Sequence, residues 1–203
     1  SLQHKNKVLW TVYGLGLQAM AEGLVFPDFE IVDKFPTYAK HVGAGLDFGY
    51  SADPTAVVRC GIVDDCMYLD ELCYQTHMLT SEIIDVLKPL GLFVYADSAD
   101  PRLIQEISNA GIVIYPADKY KGSVMGGLFK MMEYRLCVTK RSVNLIKELK
   151  NYVYEQNKDG KFINAPIDAY NHLIDAARYW TIGKIMGKIL LSKQYDKDDL
   201  GLY

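Results

Sequence analysis

The 203-residue sequence predicts a single mixed α/β domain, and three observations carry that prediction. Three strand-like runs separated by tight turns follow one another between Gly43 and Tyr74. Short apolar runs then alternate with segments of helical periodicity. Half of the residues are hydrophobic, enough for one sizeable core and too many for a disordered chain.

Taken in order, Gly43 to Phe48 reads as a strand, Ser51-Ala-Asp-Pro54 as a turn and Thr55 to Val63 as a second strand. Asp64-Asp65 makes a tight turn into a third strand, Met67 to Tyr74, so the three should pair as an antiparallel meander. Thr80 to Lys88 reads as a capped helix and Leu92 to Ala96 as a buried strand. Pro101 to Ala110 follows as a helix whose first turn tolerates the proline, and Ile112 to Tyr115 as another strand. The order is β-β-β-α-β-α-β. Beyond it, Ser123 to Tyr134 is helical, Leu136 to Val138 is a short strand and Ser142 to Leu149 is helical. Asn157-Lys-Asp-Gly160 is a hairpin turn between exposed strands within Tyr152 to Pro166. Pro166 and Asp168 open a final long helix that runs to about Met186.

The ends read differently. Residues 1–36 carry Gly14, Gly16 and Gly23 and show no sustained period, apart from one short strand near Glu30 to Val32. Trp10, Tyr13 and Phe26 are expected to be exposed there, which fits an arm that packs on a neighbour missing from this chain. Residues 37–190 form the domain proper, and the charged residues 191–203 a mobile tail.

A net charge of −3 and a pI of about 5.8 argue against a protein that holds nucleic acid by bulk charge. A metal site would weaken that objection, since its carboxylates count in the total while bound cations reverse the sign locally. Cys60, Cys66, Cys73 and Cys137 show no C-x-x-C spacing and read as structural free thiols in a reducing compartment. No apolar run reaches the ~20 residues needed to cross a bilayer, and the first residues lack a signal-peptide pattern. A soluble cytoplasmic protein is expected.

Asp47 and Asp97 each close an apolar strand-like run, where open α/β sheets place their ligands. Singly, each also fits the ordinary turn-forming role of aspartate. In the last helix Asp168, His172 and Asp175 are spaced i, i+4 and i+7, on one face that also carries Tyr179. Asp168 reads equally well as the helix N-cap. Asp175 lies between Leu173-Ile174 and Ala176-Ala177, where a lone carboxylate is costly unless it binds a metal or pairs with Arg178. Carboxylates from two strand ends and one helix make a donor set that hard divalent cations select.

Four segments, Asp47-Phe-Gly-Tyr-Ser-Ala-Asp-Pro-Thr-Ala56, Tyr95-Ala-Asp97, Ser142-Val-Asn-Leu-Ile-Lys-Glu-Leu149 and Asn171-His-Leu-Ile-Asp-Ala-Ala-Arg-Tyr179, resemble the C-terminal nuclease domain of tailed-phage or prophage terminase large subunits. The resemblance runs from about Val8 to Met186. It implies an RNase H-like fold, a mixed sheet flanked by helices, and a metal-dependent DNA endonuclease that cleaves concatemeric double-stranded DNA without sequence specificity. It further implies two divalent ions, Mg2+ or Mn2+, held by Asp47, Asp97 and Asp175, with His172 beside them as a fourth catalytic residue. His172 and Asp168 are further ligand candidates. Where family members commonly carry an acidic residue before that histidine, this chain has Asn171, and Asp100 stands where Glu is frequent. The implied partners are an N-terminal ATPase domain preceding residues 1–36, the terminase small subunit and the portal protein, in the host bacterial cytoplasm at the procapsid portal. No membrane partner is implied.

The loop Ala117-Asp-Lys-Tyr-Lys-Gly-Ser123 offers Lys119 and Lys121 beside a helix start as DNA-contact candidates, or as a solvated turn. Gly122-Ser-Val-Met-Gly-Gly127 lacks the lysine of a phosphate-binding loop, so no nucleotide site is expected. Two other readings stand beside this one: another RNase H-like nuclease of the resolvase type, and a catalytically inactive docking module for the portal or small subunit.

Overall fold

The computed structural model describes residues 23–187. The elements follow in the order β1 (Glu30–Val32), β2 (Lys40–Asp47), β3 (Thr55–Val63), β4 (Cys66–Gln75), α1 (Thr80–Leu87), β5 (Val94–Ala96), α2 (Pro101–Asn109) and β6 (Ile114–Pro116). They continue with α3 (Ser123–Met132), β7 (Arg135–Thr139), α4 (Val143–Asn151), β8 (Tyr154–Gln156), β9 (Phe162–Pro166) and α5 (His172–Trp180), which runs on as a π-helix over Thr181–Met186. Seven strands form one sheet in the order β1-β7-β4-β3-β2-β5-β6, and β8-β9 is a separate hairpin.

The expected meander is present, with β2, β3 and β4 antiparallel, and parallel pairings extend it on both sides. β3 lies at its centre, which explains why Thr55 to Val63 reads as a near-continuous apolar run. Its side chains alternate between two cores. Ala56, Val58 and Cys60 face Leu128 and Met131 of α3, Leu145 and Leu149 of α4, and Leu173, Ala176 and Trp180 of α5. Val57 faces the other way, with Ala44, Leu46, Val94 and Ala96, toward Ile83 and Leu87 of α1 and Ile107 of α2. The four cysteines are free thiols.

Two expectations need correction. The segment read as an arm is part of the body from residue 24 onward. Leu24 bridges Val153, the Val25 amide donates to Tyr152 O at 3.0 Å, Phe26 is buried rather than exposed, and β1 pairs in parallel with β7. These partners lie more than 100 residues away in sequence, so no local pattern announces them. Trp10, Tyr13 and the charged tail lie outside the described residues.

The final helix begins at His172, not at Pro166 or Asp168. The Ile167 amide donates to Val153 O at 3.0 Å, which holds that residue to the hairpin, and Tyr170 has a φ of 56°, a left-handed backbone that no α-helix passes through. Asp168 is exposed in the loop, accepting from Asn171 Nδ2 at 3.3 Å.

α5 sits very close to the sheet. A Cβ added at Gly45 of β2 would lie 1.7 Å from Ala176 O, and one at Gly43 would lie 2.7 Å from Trp180 Nε1. The glycines therefore serve a close approach of helix to strand. Gly45→Ala should destabilise the fold by about 3 kcal/mol or more, the upper end of overpacking costs, because the clash is with backbone that cannot rotate away. Urea unfolding measures this, and an unchanged midpoint would refute the close approach.

Candidate active site

β2 and β5 run parallel and in register, Leu46 opposite Ala96, so the next residue of each, Asp47 and Asp97, emerges at the same edge of the sheet. The Asp97 amide donates to Leu46 O at 3.0 Å and fixes that juxtaposition. Both side chains point to the face that carries Gly45 and Tyr95, the face on which α5 packs. His172 and Asp175 lie in the first turn of α5.

The structure thus gathers Asp47, Asp97, His172 and Asp175 at one end of the sheet. His172 Nδ1 is 3.2 Å from Asp47 Oδ2, and its Nε2 is 3.5 Å from Asp53 Oδ1 in the β2–β3 turn. Arg178 Nε donates to Asp175 Oδ1 at 3.0 Å, one turn along the helix. Lys119 forms an ion pair with Asp97, and its ammonium lies 5.9 Å from the centroid of the Tyr179 ring. Arg178 is buried with its guanidinium 4.6 Å from the same ring, in space left by Gly127, where a Cβ would come within 2.5 Å of its Cγ.

The charges interact at short range. Burial pushes the Asp47 carboxyl up to about 6; the His172 hydrogen bond opposes this and the nearby Asp175 and Asp97 reinforce it. The Asp47 carboxylate raises the His172 imidazole against its partial burial. The Tyr179 hydroxyl is raised by burial and then by Asp47, Asp175 and Asp97, against the lowering effect of the Arg178 guanidinium.

Among the described residues no three His, Cys, Asp or Glu side chains stand in a ready coordination shell. Each carboxylate is instead engaged through one oxygen by a cation or imidazole of the chain: Oδ2 of Asp47, Oδ1 of Asp97 and Oδ1 of Asp175. The donor set nevertheless fits a hard divalent cation. It offers three carboxylates whose mutual repulsion a cation would relieve, with an imidazole at its edge.

Asp168 does not join this group, because the helix face on which it was placed does not extend back to it. Of the two lysines proposed for DNA contact, Lys119 is at the site and Lys121 is exposed beyond it on the same loop. Sequence reasoning missed Asp53 and Glu148. Glu148 is a buried carboxylate on α4 whose Oε2 accepts from the Leu173 and Ile174 amides. Its signal was an acidic residue on the helix face that also carries Leu145.

The family model for the terminase RNase H-like domain matches residues 47–181. The terminase large subunit of Bacillus phage SPP1 is 30% identical over 187 residues, covering 88% of this chain and 44% of the relative. The PBSX phage terminase large subunit of Bacillus subtilis is 25% identical over 171 residues, covering 81% of this chain and 40% of the relative. The chain therefore spans less than half the length of these curated relatives. The crystal structure of the SPP1 large terminase nuclease domain with bound Mn superposes with a TM-score of 0.69 at 29% identity, over 77% of this chain and 96% of that one.

Asp47, Glu148 and His172 all hold a proton more tightly in the folded chain than in the unfolded one. Burial raises Glu148 from 4.5 to about 7, and Asp47 moves from 3.8 to about 6. Folding takes up protons, so without divalent ions stability should be greatest below about pH 4 and fall as pH rises from there through 7, as each group in turn loses the proton that the folded chain holds. At about 1.4 kcal/mol per pH unit, Glu148 alone accounts for a span on the order of 3 kcal/mol. Thermal melts in chelator between pH 5 and 8 give the sign, and a melting temperature that climbs with pH would contradict it.

Proposed function

Because the chain belongs to the terminase RNase H-like domain family, we propose that it is a divalent-metal-dependent endonuclease that cuts concatemeric double-stranded DNA during genome packaging by hydrolysing phosphodiester bonds at a two-ion site. The observation that carries this reading is the convergence of Asp47 and Asp97, in register on parallel strands, with Asp175 on the helix that packs against them. The Mn in the SPP1 nuclease domain, nearly all of which this chain covers, supports a divalent cofactor.

Asp47, Asp97 and Asp175 would hold the ions, Mg2+ or Mn2+, and His172 is the candidate for a further ligand or a proton carrier. When bound, the ions supply Lewis-acid chemistry, polarising the phosphate and lowering the pKa of a coordinated water. The residues of the chain do the rest. Asp47 orients the imidazole by its contact with Nδ1, which leaves Nε2 to take or give a proton at the site mouth beside the exposed Asp53. Lys119, now paired with Asp97, and the exposed Lys121 are the candidates for contacts to phosphate oxygens of the DNA. Asp168, exposed and away from these groups, has no part in this reading.

The other partners are part of the same proposal. The greater length of the relatives, both terminase large subunits, leaves room for an ATPase domain, and we propose the terminase small subunit and the portal protein as further partners, in the host bacterial cytoplasm at the procapsid portal.

Asp47→Asn, Asp97→Asn and Asp175→Asn should each reduce nicking of plasmid DNA by more than about 100-fold, beyond the ~10–100-fold typical of groups that only support ligands. Wild-type nicking by any one of them removes that residue from the site. His172→Ala should have the milder effect. If the ring is a ligand, the variant should also shift the preferred ion from Mn2+ toward Mg2+, since the remaining donors are all oxygen. Nicking rates across a metal titration decide this, and an unchanged Mn2+ to Mg2+ ratio would leave His172 as an orienting or proton-carrying group.

A further inference from the structure

The helix that carries His172 and Asp175 has no cap of its own. Asn171 makes no side-chain cap bond, although the first amides of any helix need acceptors. The Leu173 and Ile174 amides donate instead to Glu148 Oε2, at 2.9 and 3.1 Å. That carboxylate belongs to α4, and among the described residues its other oxygen is buried without a partner. A buried carboxylate with one orphaned oxygen costs stability, so core packing alone does not account for it.

α4 is held in its turn by a second carboxylate. Glu71 of β4 accepts from the Asn144 and Leu145 amides at 2.9 and 3.0 Å and from Asn144 Nδ2 at 2.7 Å. Beside it the buried Asp70 binds Arg59, Arg141 and Thr139, and the Glu71 amide donates to Ser142 Oγ at 2.8 Å. Two caps supplied from other elements therefore run in series, from β4 to the start of α4 and from α4 to the start of α5. The second ends on the helical turn that holds His172 and Asp175.

We propose that Glu148 is a positioning residue of the nuclease site, which by capping α5 from α4 sets where His172 and Asp175 stand against Asp47. It is buried and bonds to the first turn of α5, and its charge is also felt by His172 and by the Tyr74 hydroxyl. Ligand constellations tolerate errors of about 0.5 Å. A first turn released from its acceptor would exceed that, because His172 sits one residue before the bonded amides. The inference rests on the proposed nuclease function, whose ligands it positions.

The test uses Glu148→Leu, which removes the acceptor, and Glu148→Gln, which keeps one, both in the 203-residue chain. Mn2+ binding alone is measured by electron paramagnetic resonance, and kcat and KM by plasmid nicking. Glu148→Leu should weaken Mn2+ binding by about 10-fold or more and lower kcat by about 10–100-fold. KM for DNA should stay within about twofold, since no DNA contact is touched. Glu148→Gln should stay within about threefold of wild type on each measure, with the Leu173 and Ile174 amide protons still shifted downfield in NMR spectra. Wild-type Mn2+ binding and kcat in Glu148→Leu would overturn the proposal. So would a Glu148→Gln variant that keeps both amide hydrogen bonds yet loses Mn2+, and this second arm decides the matter should Glu148→Leu not fold. Asp47→Asn and Asp175→Asn are measured in parallel. If they too bind Mn2+ like wild type, the nuclease reading fails and takes this inference with it; if they lose Mn2+ while Glu148→Leu keeps it, only the positioning role falls.

Discussion

The near-contact of α5 with β2 is the constraint on which the rest of the structure depends. Helix and strand are brought together until the space a Cβ would need at Gly45 is filled by the carbonyl of Ala176. The two glycines of β2, set against Ala176 and Trp180, are what the sequence supplies for this approach. Asp47 follows Gly45 by two residues on the same face of the strand, and Asp175 directly precedes Ala176. Any residue larger than glycine would lift the helix and separate the carboxylates. The site is therefore set by backbone packing before any side chain is considered.

That closeness creates an electrostatic problem. Three carboxylates raise the hydroxyl of the buried Tyr179, and burial, reinforced by Asp175 and Asp97, raises Asp47 toward neutral pH. The chain answers with a cation or imidazole for each: Lys119 for Asp97, Arg178 for Asp175 and His172 for Asp47. They are not equivalent. Arg178 is buried, stacked on Tyr179 and housed by Gly127, so it is a fixed part of the fold. Lys119 sits on a loop and is nearly half exposed, on a flexible stem that lets it leave Asp97 at little cost. In the proposed reaction the first balances charge permanently, and the second can exchange a carboxylate for a phosphate.

Much of this was legible in the sequence, and the failures share a cause. The meander was readable because period-two alternation and the turns at Ser51 to Pro54 and Asp64-Asp65 are local signals. The pairing of Asp47 with Asp97 was readable because each closes an apolar run, and a parallel register did the rest. The extension of the last helix back to Asp168 failed because spacing says nothing of a left-handed residue at Tyr170 or of a bond from Ile167 to Val153. Phe26 was taken as exposed because the segment around it is held by Tyr152, Val153 and β7, from the far end of the chain. Glu148 escaped notice because what it caps lies 25 residues away, and from sequence it was one more charged residue of an amphipathic helix.

The distribution of charge also bears on why such a domain would act within a larger assembly. A net charge of −3 supplies few of the phosphate contacts that dominate DNA affinity, and one of the two lysines nearest the site is already engaged by Asp97. Under the proposed function the domain on its own would hold a duplex weakly. Tethered beside DNA, the same site works at an effective concentration set by the tether rather than by its own affinity. The curated relatives are more than twice as long as this chain, so a tether of that kind can be supplied within one polypeptide. Weak intrinsic affinity then has a use: a nuclease that gripped DNA strongly by itself would cut the genome wherever it met it, whereas one that depends on delivery cuts only where it is held.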